Sequence, residues 1–232
     1  MGRLVNGQRM ITNPIPEHAG KLLIFCEGST EYNYMDYFKK YLENNMRVKY
    51  TDVVLEPINT EGNAMHVLRY AEEFLENDEN ARKYALYEKH LVFDCDAPED
   101  IQSVVSEMLL SANDYTIDYS NLLFETWLVM HFEEITLDSK VSKSGIYEKM
   151  RDFLQVDHYG SKEKAAPGTI GALLGNNGNE KIRAAIVNAR KLEQYWTEAG
   201  KSFHHNIHEM NPSVRIHDLV ERLLDEVQYL CR

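Results

Sequence analysis

Leu22-Leu23-Ile24-Phe25-Cys26-Glu27-Gly28-Ser29-Thr30-Glu31 is the stretch on which the fold turns. Five apolar residues closed by a carboxylate and a glycine read as an interior strand of a parallel sheet that turns directly into a helix. Gly28 permits the tight turn, Ser29 and Thr30 suit the helix cap, and Glu31 falls in the first turn, four residues after Glu27. A second run, His90-Leu91-Val92-Phe93, ends in Asp94-Cys95-Asp96 with Pro98 close behind. Asp94 and Asp96 lie two apart, so in an extended segment both carboxylates point the same way and Cys95 points away. Such a pair suits a hard cation bound through oxygen. In an open α/β sheet, ligands bind at the carboxyl edge of the strands. Carboxylates gathered there repel one another unless a cation neutralises them, and the cation this predicts is Mg2+ or Mn2+. Each piece alone has a bland reading, a solvated loop for the aspartates or a dipole-complementing glutamate in a first turn. Their combination at two strand ends carries the prediction.

The chain has 232 residues, 44% hydrophobic and 27% charged, which is ordinary for a globular protein with a full core. It holds no apolar run of the roughly 18 residues a membrane span needs, and residues 1–20 hold no signal-peptide core. The expected location is the cytoplasm, with no membrane partner. Cys26, Cys95 and Cys231 are too few and too scattered for a disulfide framework or a four-ligand zinc site. The net charge of −12 argues at first against a nucleic-acid partner. Between Lys140 and Lys191, however, ten basic residues face five acids, a segment of +5 in a chain that is −17 elsewhere. That asymmetry marks either a phosphate-facing surface beside an acidic metal site or a solvated helical face.

Strand and helix signals alternate through the first part of the chain, as a parallel sheet covered by helices requires. Strands are predicted at 22–26, 52–58, 90–94 and 115–119, and helices at 30–44, 64–80, 98–110 and 124–132. Right-handed crossovers place the first and third strands side by side, so that Glu27 and Asp94 meet. Beyond Thr136 strand signals stop. Helices are predicted at 145–154, 180–200 and 213–230, the last capped by Asn211-Pro212-Ser213. Gly168, Gly171, Gly175 and Asn176-Asn177-Gly178 read as a mobile connection. The expected organisation is an N-terminal extension (1–20), an α/β core (21–135) and a helical C-terminal part (136–232) packed on it.

Four segments together resemble the RloB family: residues 24–31 (IFCEGSTE), 92–96 (VFDCD), 119–132 (YSNLLFETWLVMHF) and 211–220 (NPSVRIHDLV). They occur in order over about residues 21–224. The resemblance implies a Toprim-like parallel β-sheet core flanked by helices, from a family found in bacterial restriction and abortive-infection (phage defence) loci. It also implies that Glu27 is the glutamate after the first Toprim strand and that Asp94 and Asp96 are the metal-binding pair. Many relatives have proline where this chain has Leu122, so the turn into the following helix, and with it Glu125, is expected to differ from theirs.

Glu125 has a physical case of its own. It lies in the first turn of a helix entered from a strand end, at the same sheet edge as Glu27 and Asp94, with Asn121 four residues earlier. His131 on the same apolar helix reads as a buried, satisfied histidine, and His204 with His208 lacks a third zinc ligand. Lys162 is a candidate phosphate contact, with a solvated surface lysine as the competing reading. The activity expected is a metal-dependent phosphodiesterase, a nuclease with Glu27, Asp94 and Asp96 as metal ligands and Glu27, Glu31, Asp94, Asp96 and Glu125 as the catalytic set. The alternative is a non-catalytic Toprim-like subunit acting with an ATPase. No Walker-type GxxxxGK[ST] occurs in the chain, so any nucleotide-driven step belongs to another protein. Asp94-Cys-Asp-Ala-Pro98 lacks the Thr or Ser expected soon after the second aspartate of a haloacid-dehalogenase phosphatase. DNA and RNA both fit this reading as substrate.

Overall fold

The computed structural model describes residues 20–44, 53–96, 98–137 and 140–230, the side chains of 98–100 and 227–230 excepted. Strand β1 (Lys21–Cys26) is apolar on both faces. Leu22, Ile24 and Cys26 pack into one layer of helices, and Leu23 and Phe25 into the other, all without exposed surface. A strand covered on both sides has no solvent face, which is why its sequence is a continuous apolar run rather than an alternation.

The chain continues through α1 (Ser29–Asn44), β2 (Val54–Asn59), α2 (Ala64–Glu76), α3 (Asp78–Lys83), β3 (Glu88–Asp94), α4 (Pro98–Met108) and β4 (Tyr115–Asn121). Strands β1 to β4 are parallel, and the sheet runs β2-β1-β3-β4 with a short antiparallel β5 (Ser213–Val214) at its edge. The expected α/β class holds, and β1 and β3 are neighbours as their order required. The helix expected over 64–80 is interrupted at Asn77, whose backbone is extended and whose side chain accepts from the backbone N–H groups of Glu79 and Asn80 to start α3. A side chain that caps a new helix competes with continuation of the old one.

The C-terminal part is helical: α5 (Glu125–Val129), α6 (Lys143–Leu154), α7 (Ser161–Ala165), α8 (Gly168–Leu174), α9 (Gly178–Glu198), α10 (Phe203–Asn206) and α11 (His217–Leu230). Three expectations need correction here. Strands do not end before Thr136, because Ser213 and Val214 pair with Asn121 and Ser120. Two residues are too few to leave a period in the sequence. For the same reason the last helix begins at His217, and Asn211-Pro212-Ser213 leads into a strand instead of capping a helix. The glycine-rich stretch is not a mobile connection but α8 and a 3-10 turn (Gly175–Asn177). Ile170, Leu173 and Leu174 are buried there, and burying them, at about 1.5–3 kcal/mol each, outweighs the roughly 1 kcal/mol helix penalty of each glycine. The expected extension apart from Gly20, Cys231, and Asp52 of the second predicted strand lie outside the described residues. No described helix is long and apolar enough to cross a membrane.

Helices α1, α5, α6, α8, α9 and α11 contribute to the core on one face of the sheet, and α2 and α4 to that on the other. Within the sheet sits a buried ionic pair. His90 Nδ1 of β3 lies 2.6 Å from Asp118 Oδ2 of β4, and Glu88, 3.7 Å from His90 Nε2, is held by both guanidinium nitrogens of Arg222. Burial works against the charged imidazole, but bonding to Asp118 and Glu88 more than offsets it and raises the His90 pKa to about 9. A raised histidine pKa stabilises the fold fully below the unfolded value near 6.5, and the gain is lost as pH rises to about 9. Thermal melting should therefore show this contribution at pH 6 and its loss by pH 9.5. Asp118→Asn should flatten that slope, and an unchanged slope in the variant would exclude the pair as its source.

Candidate functional site

The chain leaves β1 towards β2 on one side and returns to β3 on the other, so β1 and β3 flank the point where strand order reverses. Loops leaving such a pair diverge and open a crevice at the carboxyl edge. Glu27 and Asp94 stand there. The Glu27 N–H donates to the Val92 carbonyl at 2.9 Å, and Glu27 Oε2 accepts from the Asp94 backbone N–H at 2.9 Å. The two strand ends are thereby latched to each other.

Two further carboxylates close on this edge. Glu31, in the first turn of α1, is buried. Glu125, which opens α5, is fully buried, and three donors converge on its Oε1: Thr30 Oγ1 at 3.1 Å, Tyr159 Oη at 3.0 Å and Lys164 Nζ at 2.9 Å. Lys164 also lies over the Tyr147 ring at 4.9 Å, and its backbone carbonyl accepts from Asn33 Nδ2 at 3.0 Å. The side chains of Glu125 and Lys164, with Thr30 and Asn33, thus tie α1, α5 and α7 together above the end of the sheet.

One partly buried ammonium does not balance four carboxylates. Burial, opposed by the Asp94 backbone bond and reinforced by Asp96, raises the Glu27 pKa to about 7. Burial together with Glu125 and Glu27 raises Glu31 to about 8. Asp94 is pushed well above the usual carboxylate range by burial and by Glu31, Glu27 and Glu125. Burial disfavours the Lys164 ammonium, but the Glu125 carboxylate more than restores it and its pKa is raised. Asp94 Oδ1 and Glu125 Oε2 are buried and accept no hydrogen bond from any described residue. Buried acceptors without donors are costly, and a cation or a shared proton is what the chemistry of this edge lacks. Among the described residues, no three of these carboxylates bring ligand oxygens within 4.8 Å of one another.

Of the residues expected at the site, Glu27, Glu31, Asp94 and Glu125 converge. Asp96 is exposed in the turn after β3, within electrostatic reach of Glu27. Lys162 is exposed on α7, whereas Lys164, two positions on, meets Glu125. The sequence did not point to Thr30 as a ligand of Glu125, nor to Tyr159 or Lys164. Lys162 and Lys164 both belong to a five-residue helix too short to show an amphipathic register, so only the packing of α7 on α1 tells them apart. Asn121 turns away from the carboxylates and donates to the carbonyls of Ile207 and Met210. The peptide between Asn121 and Leu122 is cis.

His131 is buried and satisfied as expected, between Tyr34 Oη and the Trp127 carbonyl, with its pKa lowered by burial to about 4. His204 belongs to α10, which ends before His208, so the two share no helix face. Among the described residues the grouping with metal-like spacing is instead Glu193, His217 and Asp218, where Arg190 already pairs with Asp218. Half of the basic segment's ten cations are paired at the surface: Lys149, Arg151, Arg183 and Lys191 pair with Glu133, Asp152, Asp225 and Glu134, and Arg190 pairs with Glu221 and Asp218. Lys143 and Lys164 are the cations of that segment whose charge reaches Glu27.

Fold and site together define an α/β protein with a mostly parallel sheet and an under-compensated carboxylate cluster at its switch point. The family model described as RloB-like protein matches residues 22–223, most of the chain, and the chain belongs to that family. Comparison with curated proteins and with solved structures finds no match.

The raised pKa values carry a testable sign. A carboxylate whose folded pKa lies above the unfolded value of about 4.5 stabilises the fold below that value, and the contribution is lost as pH rises through the folded pKa near 7 for Glu27 and 8 for Glu31. A divalent cation binds the deprotonated cluster, so Mn2+ should bind more tightly as pH climbs from 6 to 8.5 and should release protons on binding. Calorimetric titration in buffers of different ionisation enthalpy measures both. Binding that is independent of pH, with no proton release, would exclude these carboxylates as the ligands.

Proposed function

We propose that this protein is a metal-dependent phosphodiesterase, a Toprim-like nuclease serving phage defence. The observation that carries the reading is the convergence of Glu27, Glu31, Asp94 and Glu125 on one edge where Lys164 pairs with Glu125 alone, with Asp94 Oδ1 and Glu125 Oε2 buried and reached by no donor among the described residues. Glu27 and Asp94, with Asp96 at the open side, would hold Mg2+ or Mn2+ through oxygen. When bound, such an ion activates water and offsets the charge that develops on a phosphoryl group.

The chain's own residues supply the rest. Lys164 is held by Glu125 and Tyr147 at the crevice and, with Lys143, brings positive charge to the edge where a phosphate would enter. Thr30 and Tyr159 fix the carboxylate on which Lys164 rests. Without the ion, burial raises the Glu27 pKa to about 7, so a Glu27 that is not itself a ligand could take a proton from water or return one to the leaving oxygen near neutral pH. With few cations at the edge, binding of a nucleic-acid substrate would rest on contacts at the scissile phosphate, and would be weak and only shallowly salt-dependent.

The test is cleavage of radiolabelled DNA and of total RNA by purified protein in Mn2+, alone and with any ATPase encoded beside it. Cleavage in Mn2+ that stops in chelator is expected. No cleavage of either polymer under any of these conditions, with protection against phage intact in cells, would favour the non-catalytic subunit instead.

A further inference from the structure

The end of the sheet opposite the carboxylate cluster carries a surface that the proposed chemistry does not use. Leu86, in the turn before β3, is 87% exposed, and Leu109 and Leu110, just after α4, are 75% and 86% exposed. Both turns lead into adjacent strands: Lys89 of β3 lies beside Tyr115 of β4. Leucines so exposed are a cost in solvent that burial against a partner would remove. Beside them, a cleft of about 610 Å³ between α2 and the end of α4 is lined by Leu68, Leu110, Glu72, Glu73, Glu76 and Glu107. Among the described residues Arg69 is the one cation lining it, and Glu107 holds that guanidinium at 3.4 Å. A neighbouring cleft of about 600 Å³ adds Leu75, Ala81, Ala85 and Leu86 to the apolar surface, and its charged lining, Glu88, Asp114 and Lys89, is acidic on balance.

We propose that this pole docks a cationic amphipathic helix of a partner protein. Apolar side chains repeating at three- and four-residue intervals on that helix would cover Leu86, Leu109 and Leu110 and enter the cleft. Lysines or arginines beside them would meet Glu73, Glu76 and Glu107. Charge selects this occupant. A second copy of the same face would bring carboxylates against carboxylates, and an acidic or neutral helix would leave the cleft's charge unmatched. The surface lies at the far end of the strands from Glu27 and Asp94, so a partner seated there leaves the carboxylate edge open. The inference stands whether or not the protein cleaves nucleic acid.

The probe is a fluorescein-labelled synthetic helix of about 18 residues with leucine at positions i, i+3, i+4 and i+7 and lysine elsewhere. Fluorescence anisotropy with the full chain reads its affinity. Binding should weaken at least about tenfold, near 1.4 kcal/mol, in Leu86→Ser/Leu110→Ser and again in Glu73→Lys/Glu76→Lys. Glu148→Lys, an exposed reversal on α6, should leave binding unchanged. All these positions are exposed or at the rim, so the variants should fold, which circular dichroism confirms. Three results would overturn the proposal. One is equal binding of a lysine peptide with serine in place of leucine, which would make the attraction electrostatic only. Another is affinity that is the same in both double variants as in wild type. The third is a dimer of the chain that Leu86→Ser/Leu110→Ser dissolves, which would make a second copy the occupant.

Discussion

Asp94→Asn is expected to lower phosphodiester cleavage by about two to four decades, or 3–5 kcal/mol of transition-state stabilisation, while raising the melting temperature of the metal-free protein. The two effects share a cause. Asp94 is partly buried among Glu27, Glu31 and Glu125, and its Oδ1 accepts no hydrogen bond, so removing its charge relieves repulsion. The same removal takes away the oxygen charge on which cation binding depends. Glu27→Gln should act likewise on rate, because its amide oxygen can still accept from the Asp94 N–H and keep the strand latch. Rates in Mn2+ and melting curves in chelator, taken on the same preparations, check both halves. Undiminished cleavage in both variants would place the chemistry elsewhere, and a melting temperature that falls with Asp94→Asn would mean that the carboxylate stabilises the fold.

The second large effect is expected at Glu125. Truncation to alanine leaves the Lys164 ammonium, about a quarter exposed, beside a cavity where its carboxylate had been, and strips Thr30 and Tyr159 of their common acceptor. Breaking a buried ion pair from one side costs about 3–5 kcal/mol, because the remaining charge is uncompensated. Glu125→Ala should lose that much in urea unfolding, with a much smaller loss for Glu125→Gln, which keeps an acceptor for all three donors. Lys164→Met should act in the opposite electrostatic sense. It leaves the carboxylates without their cation, so the loss of stability between pH 6 and 8.5 should steepen, and Mn2+ should recover more of it than in wild type. A Glu125→Ala protein within 1 kcal/mol of wild type would show that the three donors find water as readily as they find the carboxylate.

The tertiary arrangement also changes the meaning of the chain's charge. Ten basic residues in one segment read as either a phosphate-facing surface or a solvated helical face, and six of them, Lys164 included, are paired with carboxylates. Exposed pairs of this kind contribute little to stability, a median of about 0–1 kcal/mol. Their consequence is for binding: among the described residues of the segment they leave few unpaired cations to greet a polyanion at the crevice, where Lys164 is itself held by Glu125.

What the sequence determined by itself is the part of the protein governed by short-range pattern. The apolar runs 22–26 and 90–93 announce buried parallel strands, and a carboxylate at the end of each is carried to one edge of the sheet by the direction of the chain alone. Glu31 follows from its place in the first turn of a helix that starts at the same edge, and Glu125 from a strand end that leads directly into α5. Only the tertiary structure decided which groups answer these carboxylates. Lys164 rather than Lys162, Tyr159, and the two residues of β5 come from segments tens of residues away whose own patterns are too short to fix a register. Their positions follow from how α7 packs on α1 and how residues 213–214 find the free edge of β4, contacts set by burial and by unpaired backbone groups that no local period records.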